Sequence, residues 1–93
     1  MLEMKHVNGN KKVNLTLYAL STCIWCRRVK ELLNSLGVEY DYVDVDLLEG
    51  ENKDKAAEEI KKWNPKMSFP NLIVNNQKCI VGFDESQIKE VLK

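Results

Sequence analysis

The chain has 93 residues, and 14 lysines and arginines balance 14 aspartates and glutamates, so its formal net charge is zero. That balance gives no electrostatic reason to expect a nucleic acid or an anionic membrane surface as a partner. Hydrophobic residues make up 44% of the chain, an ordinary share for a globular domain and too high for a disordered one. The length suits one domain with one modest core.

The sequence shows no sign of a targeting or membrane segment. No apolar run approaches the roughly 20 residues that span a bilayer, and the first 12 residues lack the apolar segment and cleavage site of a signal peptide. The three cysteines are an odd number without the spacing of a secreted disulfide framework. We therefore expect a cytoplasmic protein, because thiols stay reduced there and a cysteine pair is more often catalytic or metal-binding.

The chain begins with a polar N-terminal extension over residues 1–12, which contains the turn dipeptide Asn8-Gly9. Within it, Glu3–Val7 could form a short edge strand that turns back towards Val13, or a mobile tail. The following stretch, Val13–Leu20, alternates and then becomes apolar on both faces. This pattern predicts a strand that ends inside a sheet covered on both sides.

A helix and a second strand follow. Four apolar residues fall at i, i+3, i+4 and i+7 on one helical face, namely Val29, Leu32, Leu33 and Leu36. Gly37 is a suitable C-terminal cap for this helix. The alternation over Val38–Val45 then predicts the second strand.

The second half of the chain predicts a helix, two strands and a final helix. Lys53–Trp63 has helical spacing with Asn52 as its N-cap. Strands are predicted at Asn71–Asn75 and Lys78–Val81. The last helix begins at a capping box, in which Asp84 is the N-cap and Gln87 reaches back.

The element order β-α-β-α-β-β-α predicts an α/β fold with a mixed four-stranded sheet, flanked by helices, and a possible extra N-terminal strand. The first two strands should be parallel because a helix connects them, and the last two antiparallel because a short turn does. Ligands approach such a sheet at the loop after the first strand. Cys23 lies in that loop.

Cys23 and Cys26 form a Cys-x-x-Cys motif at the junction of a strand and a helix. A thiolate rather than a thiol attacks disulfides, and a free cysteine ionises only above a pH of about 8. The start of a helix stabilises an anion, which favours Cys23 as the nucleophile. Cys26 lies three residues on and can resolve a mixed disulfide formed on Cys23.

Other interpretations of these cysteines stay open. Two incidental cysteines are one, and a zinc site built from Cys23, Cys26, Cys79 and His6 is another. An iron–sulfur cluster bridging two chains is a third. Cys79 itself is more typical of a small buried hydrophobe. The ring of Trp25, between the paired cysteines, could receive an apolar part of a substrate.

Three motifs in order give the chain a resemblance to a known family. Thr22-Cys23-Ile24-Trp25-Cys26, Ser68-Phe69-Pro70 and Val81-Gly82-Phe83-Asp84 together resemble a glutaredoxin over residues 13–93. The resemblance implies a thioredoxin-like fold and an enzyme that catalyses thiol–disulfide exchange.

The same resemblance implies roles for individual residues. It places Pro70 in a cis bond against the nucleophile, pairs the Phe69 backbone with the substrate, and gives Gly82 and Asp84 the glutamyl end of glutathione. Besides the catalytic Cys23 and Cys26, the predicted substrate-binding residues are Trp25, Ser68, Phe69, Pro70, Gly82, Phe83 and Asp84. No metal and no bound cofactor are expected.

The chain also departs from the common glutaredoxin pattern. Ile24-Trp25 replaces Pro-Tyr, Leu20 replaces a lysine that holds the glycyl carboxylate of glutathione, and Val81-Gly82 replaces Gly-Gly. The predicted partners are therefore disulfide-containing proteins or small disulfides, with glutathione, another thiol or a reductase as electron source. We expect a monomer.

Overall fold

The computed structural model describes residues 4–93, and its secondary structure follows the predicted order with one further strand at the N-terminus. The strands are β1 (Lys5–Val7), β2 (Leu15–Ala19), β3 (Tyr40–Asp44), β4 (Asn71–Val74) and β5 (Lys78–Val81). The α-helices are α1 (Ile24–Ser35), α2 (Gly50–Trp63) and α3 (Glu85–Val91), and a single 3₁₀ turn at Val45–Leu47 follows β3.

The strands form one mixed sheet in the order β1-β3-β2-β4-β5. β2 and β3 are parallel, as the connecting helix α1 requires, whereas β4 pairs antiparallel with both β2 and β5. The predicted mixed sheet is therefore confirmed, together with the possible N-terminal strand. Because β2 is the central strand of the sheet, the loop that follows it starts in the middle of the row of strand ends.

The partner of the N-terminal strand differs from the expectation. β1 does not turn back towards Val13; it pairs antiparallel with β3, with Lys5 opposite Tyr42 and Val7 opposite Tyr40. Both edges of β2 are already occupied by β3 and β4, so the free edge on this side belongs to β3. Glu3, which the prediction included, lies outside the described residues.

Helices cover both faces of the sheet. Alternate residues of β2 point to opposite sides, so that Leu17 packs in the cluster with α1 and α3, and Tyr18 packs in the cluster with α2. The fully buried Leu33 and Ile88 anchor α1 and α3 on the first face, and Ile60 anchors α2 on the second. This three-layer arrangement holds the end of β2 rigidly.

The start of α2 corrects the predicted helix boundary. The helix begins at Gly50 rather than Lys53, its N-cap is Glu49, and Asn52 lies inside the first turn. The first turn is polar and exposed, so no apolar periodicity marks it in the sequence. Among residues 4–93, no helix has both the length and the apolar character needed to cross a membrane.

Candidate active site

Cys23 is the N-cap residue of α1, in the loop that follows β2. Its backbone is extended, with φ −86° and ψ 120°, and its Sγ accepts a hydrogen bond from the Cys26 backbone N–H at 3.3 Å. A cap position of this kind points a free N–H and the positive end of the helix dipole at the sulfur. Both favour negative charge on Cys23 Sγ, and the residue is only partly buried.

Cys26 is completely buried in the first turn of the same helix. Its Sγ accepts a hydrogen bond from the Leu20 N–H at 3.5 Å. Burial, with a further contribution from the hydrogen bond to Cys23, raises the pKa of the Cys26 thiol to about 12. The two sulfurs are thus unequal, because one is accessible and capped by a donor, and the other is enclosed and held as a thiol.

Lys30 lies one helical turn after Cys26 in α1, and its ammonium group pairs with Asp44. Its Nζ is 2.9 Å from Asp44 Oδ1 and 4.3 Å from the centre of the Tyr42 ring, and its side chain is only 23% exposed. The Lys30 charge is one of the smaller influences on the pKa of Cys26, and it acts to lower that pKa. Lys30 therefore offsets part of the effect of burial on the pKa of the Cys26 thiol.

The Phe69–Pro70 peptide bond is cis, as the family resemblance implied. Pro70 is buried, and its carbonyl accepts a hydrogen bond from the Gly82 N–H at 2.9 Å. Gly82 has φ +81°, a left-handed conformation that favours glycine. This bond joins the second and third predicted motifs to each other.

Two buried asparagines brace the loop that carries Ser68. Asn64 Nδ2 donates to the Ser68 carbonyl at 3.1 Å and to Asn71 Oδ1 at 3.0 Å, and Asn71 Nδ2 donates to the Ser68 carbonyl at 2.8 Å. Asn64 Nδ2 also lies 3.0 Å from Ser68 Oγ. From the sequence, Asn64 was predicted only to end a helix and Asn71 only to begin a strand. An asparagine at the start of an otherwise apolar strand is the sequence signal for this network.

Trp25 connects the first motif to the third. Its ring stacks on that of Phe83, with centroids 6.2 Å apart and planes inclined by 20°. Trp25 remains 54% exposed and its neighbour Ile24 58% exposed. The three motifs therefore meet around one surface: α1 contacts Phe83 through Trp25, and Gly82 contacts Pro70.

Asp84 caps α3 as the sequence predicted. Its Oδ1 accepts the Gln87 backbone N–H at 3.0 Å, and its Oδ2 accepts the Gln87 side-chain amide at 2.8 Å. These hydrogen bonds, the backbone one first, lower the pKa of Asp84. Both carboxylate oxygens are thus engaged within the helix cap.

A second carboxylate fixes the loop before Cys23, and the sequence reading missed it. Asp46 accepts hydrogen bonds from both the side-chain hydroxyl and the backbone N–H of Ser21, the latter at 2.8 Å. These bonds lower the pKa of Asp46. Because Asp46 follows β3, the parallel neighbour of β2, only the folded sheet brings the two residues together.

The candidate zinc ligands are not brought together. Cys79 packs on the α2 face, whereas Cys23 packs on the face of α1 and α3. His6 lies on β1, at the sheet edge opposite β5. Within residues 4–93, no three His, Cys, Asp or Glu side chains form a group that could hold a metal ion. Burial raises the pKa of Cys79, which fits a packed thiol.

The sequence and the fold of this chain are both similar to those of known proteins. The sequence model of the Glutaredoxin family matches residues 15–80. The crystal structure of Methanosarcina acetivorans methanoredoxin is 49% identical and superposes with a TM-score of 0.87, covering 90% of this chain and 88% of that one. Glutaredoxin from Methanosarcina mazei is 48% identical with a TM-score of 0.89, covering 96% and 86%.

A curated relative agrees with the structures. Glutaredoxin 1 of Rickettsia prowazekii is 32% identical over 69 residues, which are 72% of this chain and 70% of that protein. Together with the mixed five-stranded sheet and its helices, these matches define the class as the thioredoxin-like fold. The chain belongs to the glutaredoxin family.

Proposed function

We propose that this protein is a thiol–disulfide oxidoreductase that reduces disulfides of proteins or small molecules by a dithiol mechanism. The observation that supports it best is the difference between two neighbouring sulfurs: Cys23 Sγ is accessible and accepts an N–H, and Cys26 is buried. Exchange needs one thiol that attacks and another that is kept until a mixed disulfide has formed.

The reaction proceeds in two exchanges. The Cys23 thiolate attacks one sulfur of the substrate disulfide, the substrate S–S bond breaks, and the first substrate thiolate leaves. Cys26 then loses its proton and attacks Cys23 Sγ, which releases the second substrate thiol and leaves a Cys23–Cys26 disulfide. Two electrons have passed to the substrate. Two thiols or a dithiol reductase restore the pair.

The surrounding residues have supporting roles in this proposal. Asn64 and Asn71 hold the Ser68–Pro70 loop. Trp25 and Phe83 stack to form an apolar surface, and Phe83 packs against the same core cluster as Cys23. The electron source is glutathione, another thiol or a reductase. A cytoplasmic location belongs to the same proposal, because the cysteine pair must be reduced to act.

Replacement of the cysteines one at a time tests the proposal. Cys23→Ser should lower the reduction of bis(2-hydroxyethyl) disulfide by a small dithiol to the uncatalysed rate, since no attacking sulfur remains at the cap. Cys79→Ser is the matched control and should keep the wild-type rate, because Cys79 packs on the other face of the sheet. Full activity of Cys23→Ser contradicts the proposed function.

A further inference from the structure

An aromatic shelf, formed by Trp25 and Phe83, lies beside the candidate nucleophile. Trp25 is two residues from Cys23, stacks on Phe83 at 6.2 Å, and still exposes 54% of its surface. Ile24 adds a further 58%-exposed apolar side chain. Aromatic side chains in such positions are typical of the centre of a binding surface rather than of a free surface. Cys23 and Phe83 both pack against the core cluster on the α1 and α3 face, so we expect a group bonded to Cys23 Sγ to reach this shelf.

Two arginines give the same region a positive edge. Arg27 lies one helical turn after Cys23, and Arg28 lies one turn after Ile24. Residues four apart lie on the same face of a helix, so the two arginines continue the surface that begins with Cys23 and Ile24. Both are exposed, and neither forms an ion pair with any residue in the 4–93 range. The first turn of α1 contains no acidic residue. The arginine charges are thus available to a partner.

Neither Asp84 nor Asp46 forms an ion pair with Arg27 or Arg28. Asp84 uses both oxygens for Gln87, and Asp46 uses both for Ser21. A ligand ammonium at Asp84 would have to share these oxygens with the Gln87 backbone N–H and side-chain amide. The region around Cys23 therefore combines an apolar shelf with unpaired positive charge.

We propose that the preferred substrate is a polypeptide disulfide whose cysteine has an apolar neighbour and nearby acidic residues. The apolar neighbour packs on the aromatic shelf and the acidic side chains pair with Arg27 and Arg28. Glutathione has carboxylates that could pair with the arginines, but it has no apolar side chain to pack on the aromatic shelf. This proposal rests on the proposed function, whose chemistry it leaves unchanged and whose substrate it names.

Single-turnover reaction of the reduced protein with a matched set of disulfides tests the proposal. Each substrate is a mixed disulfide of 2-mercaptoethanol with another thiol. The first thiol is a peptide with leucine and glutamates around its cysteine. The others are the same peptide with lysines in place of the glutamates, the same peptide with serine in place of the leucine, and glutathione. Cys23 attacks the peptide sulfur, 2-mercaptoethanol leaves, and Cys26 then releases the peptide thiol. The peptide thiol is quantified by mass spectrometry after an acid quench.

The leucine–glutamate peptide should react about tenfold faster than its lysine counterpart at low ionic strength, and added salt should shrink the difference. The double variant Arg27→Gln, Arg28→Gln should remove this charge preference. The double variant Arg27→Lys, Arg28→Lys keeps both positive charges and should keep the preference. Trp25→Ala should remove the advantage of leucine over serine. The controls Lys12→Gln and Leu36→Ala, which lie beyond the far ends of β2 and α1, should keep both preferences.

Two results overturn the proposal: equal rates for the glutamate and lysine peptides, or a glutathione disulfide that reacts as fast as the leucine–glutamate peptide. If bis(2-hydroxyethyl) disulfide reacts while the peptides are not discriminated, the substrate assignment fails alone. If neither the peptides nor bis(2-hydroxyethyl) disulfide react, the proposed function fails with it.

Discussion

Cys23 and Cys26 carry the same side chain, and their positions in one helical turn make them different. Cys23 precedes the helix, where the backbone donates to its sulfur, and Cys26 points into the core, where burial raises its pKa to about 12. A resolving thiol with so high a pKa attacks slowly at neutral pH unless a nearby positive charge helps it to ionise. The Lys30 charge acts in that direction, since it lowers the pKa that burial raises.

Replacing Lys30 by glutamine should slow the resolving step at neutral pH and move its pH profile to higher pH. The Lys30 charge lowers the pKa of Cys26, so its loss raises that pKa and reduces the fraction of Cys26 thiolate available for attack at neutral pH. The readout is the rate at which a preformed Cys23 mixed disulfide releases its thiol, measured across pH.

Lys30→Arg separates charge from packing in this experiment. The arginine keeps a positive charge near Asp44 and should restore most of the rate, whereas a purely structural role for Lys30 predicts no change in the pH profile with either variant. An unshifted profile in Lys30→Gln would remove Lys30 from the mechanism.

Asn71 has a stabilising role at the level of the loop and strand. Asn71→Ala should lower the free energy of unfolding by about 1–3 kcal/mol, because it removes two hydrogen bonds of this network, from Asn71 Nδ2 to the Ser68 carbonyl and from Asn64 Nδ2 to Asn71 Oδ1. Urea denaturation measures the change. Asn52→Ala, at an exposed position of α2, is the control and should change stability by less than about 0.5 kcal/mol. Equal effects from both variants would show that the asparagine network does not brace the loop.

β1 is attached to the sheet edge partly by a titratable group. His6 Nδ1 lies 2.6 Å from Asp41 Oδ1, and Nε2 lies 3.7 Å from Glu39 Oε2. The hydrogen bond to Asp41 raises the pKa of His6 above its ordinary 6.5. A raised pKa means that protonation favours the folded state, so this stabilisation is fully present below pH 6.5 and is lost as the pH rises through the raised pKa.

His6→Gln should therefore lower the melting temperature more at about pH 5.5 than at about pH 9. The difference between wild type and variant at each pH is the useful quantity, since other titrating groups cancel in it. A difference that is constant across this range, or larger at the alkaline end, would contradict the assigned ion pair.

At the scale of single helices and strands, the sequence predicted features that depend on neighbouring residues, such as the position of a strand or the cap of a helix. The short strand predicted at Lys78–Val81 matches β5 residue for residue, and Asp84 was correctly identified as the cap of α3. The pairing of β1 with β3 was not predicted, because periodicity indicates a strand but not the edge on which it lies. The early start of α2 was missed because its first turn contains only polar, exposed residues.

At the scale of the whole molecule, the candidate site combines local and distant contributions. The Cys-x-x-Cys motif and its place at the start of a helix follow from nearby residues alone. The Asp46–Ser21 hydrogen bonds, the Trp25–Phe83 stack and the Gly82–Pro70 bond each join separate elements, so they require the folded sheet. The cis bond at Pro70 was expected only through the family resemblance, since a proline in a turn is ordinarily trans.

The most direct test of the dithiol mechanism is to trap the mixed disulfide. Cys26→Ser, incubated with a disulfide substrate and analysed by peptide mass spectrometry, should accumulate an adduct on Cys23, because the attacking sulfur remains and the resolving sulfur is absent. Cys23→Ser should give no such adduct. Two results would contradict the assignment of Cys23 as nucleophile and Cys26 as resolving thiol. One is an adduct on Cys26 or Cys79 in Cys23→Ser, and the other is the absence of an adduct on Cys23 in Cys26→Ser.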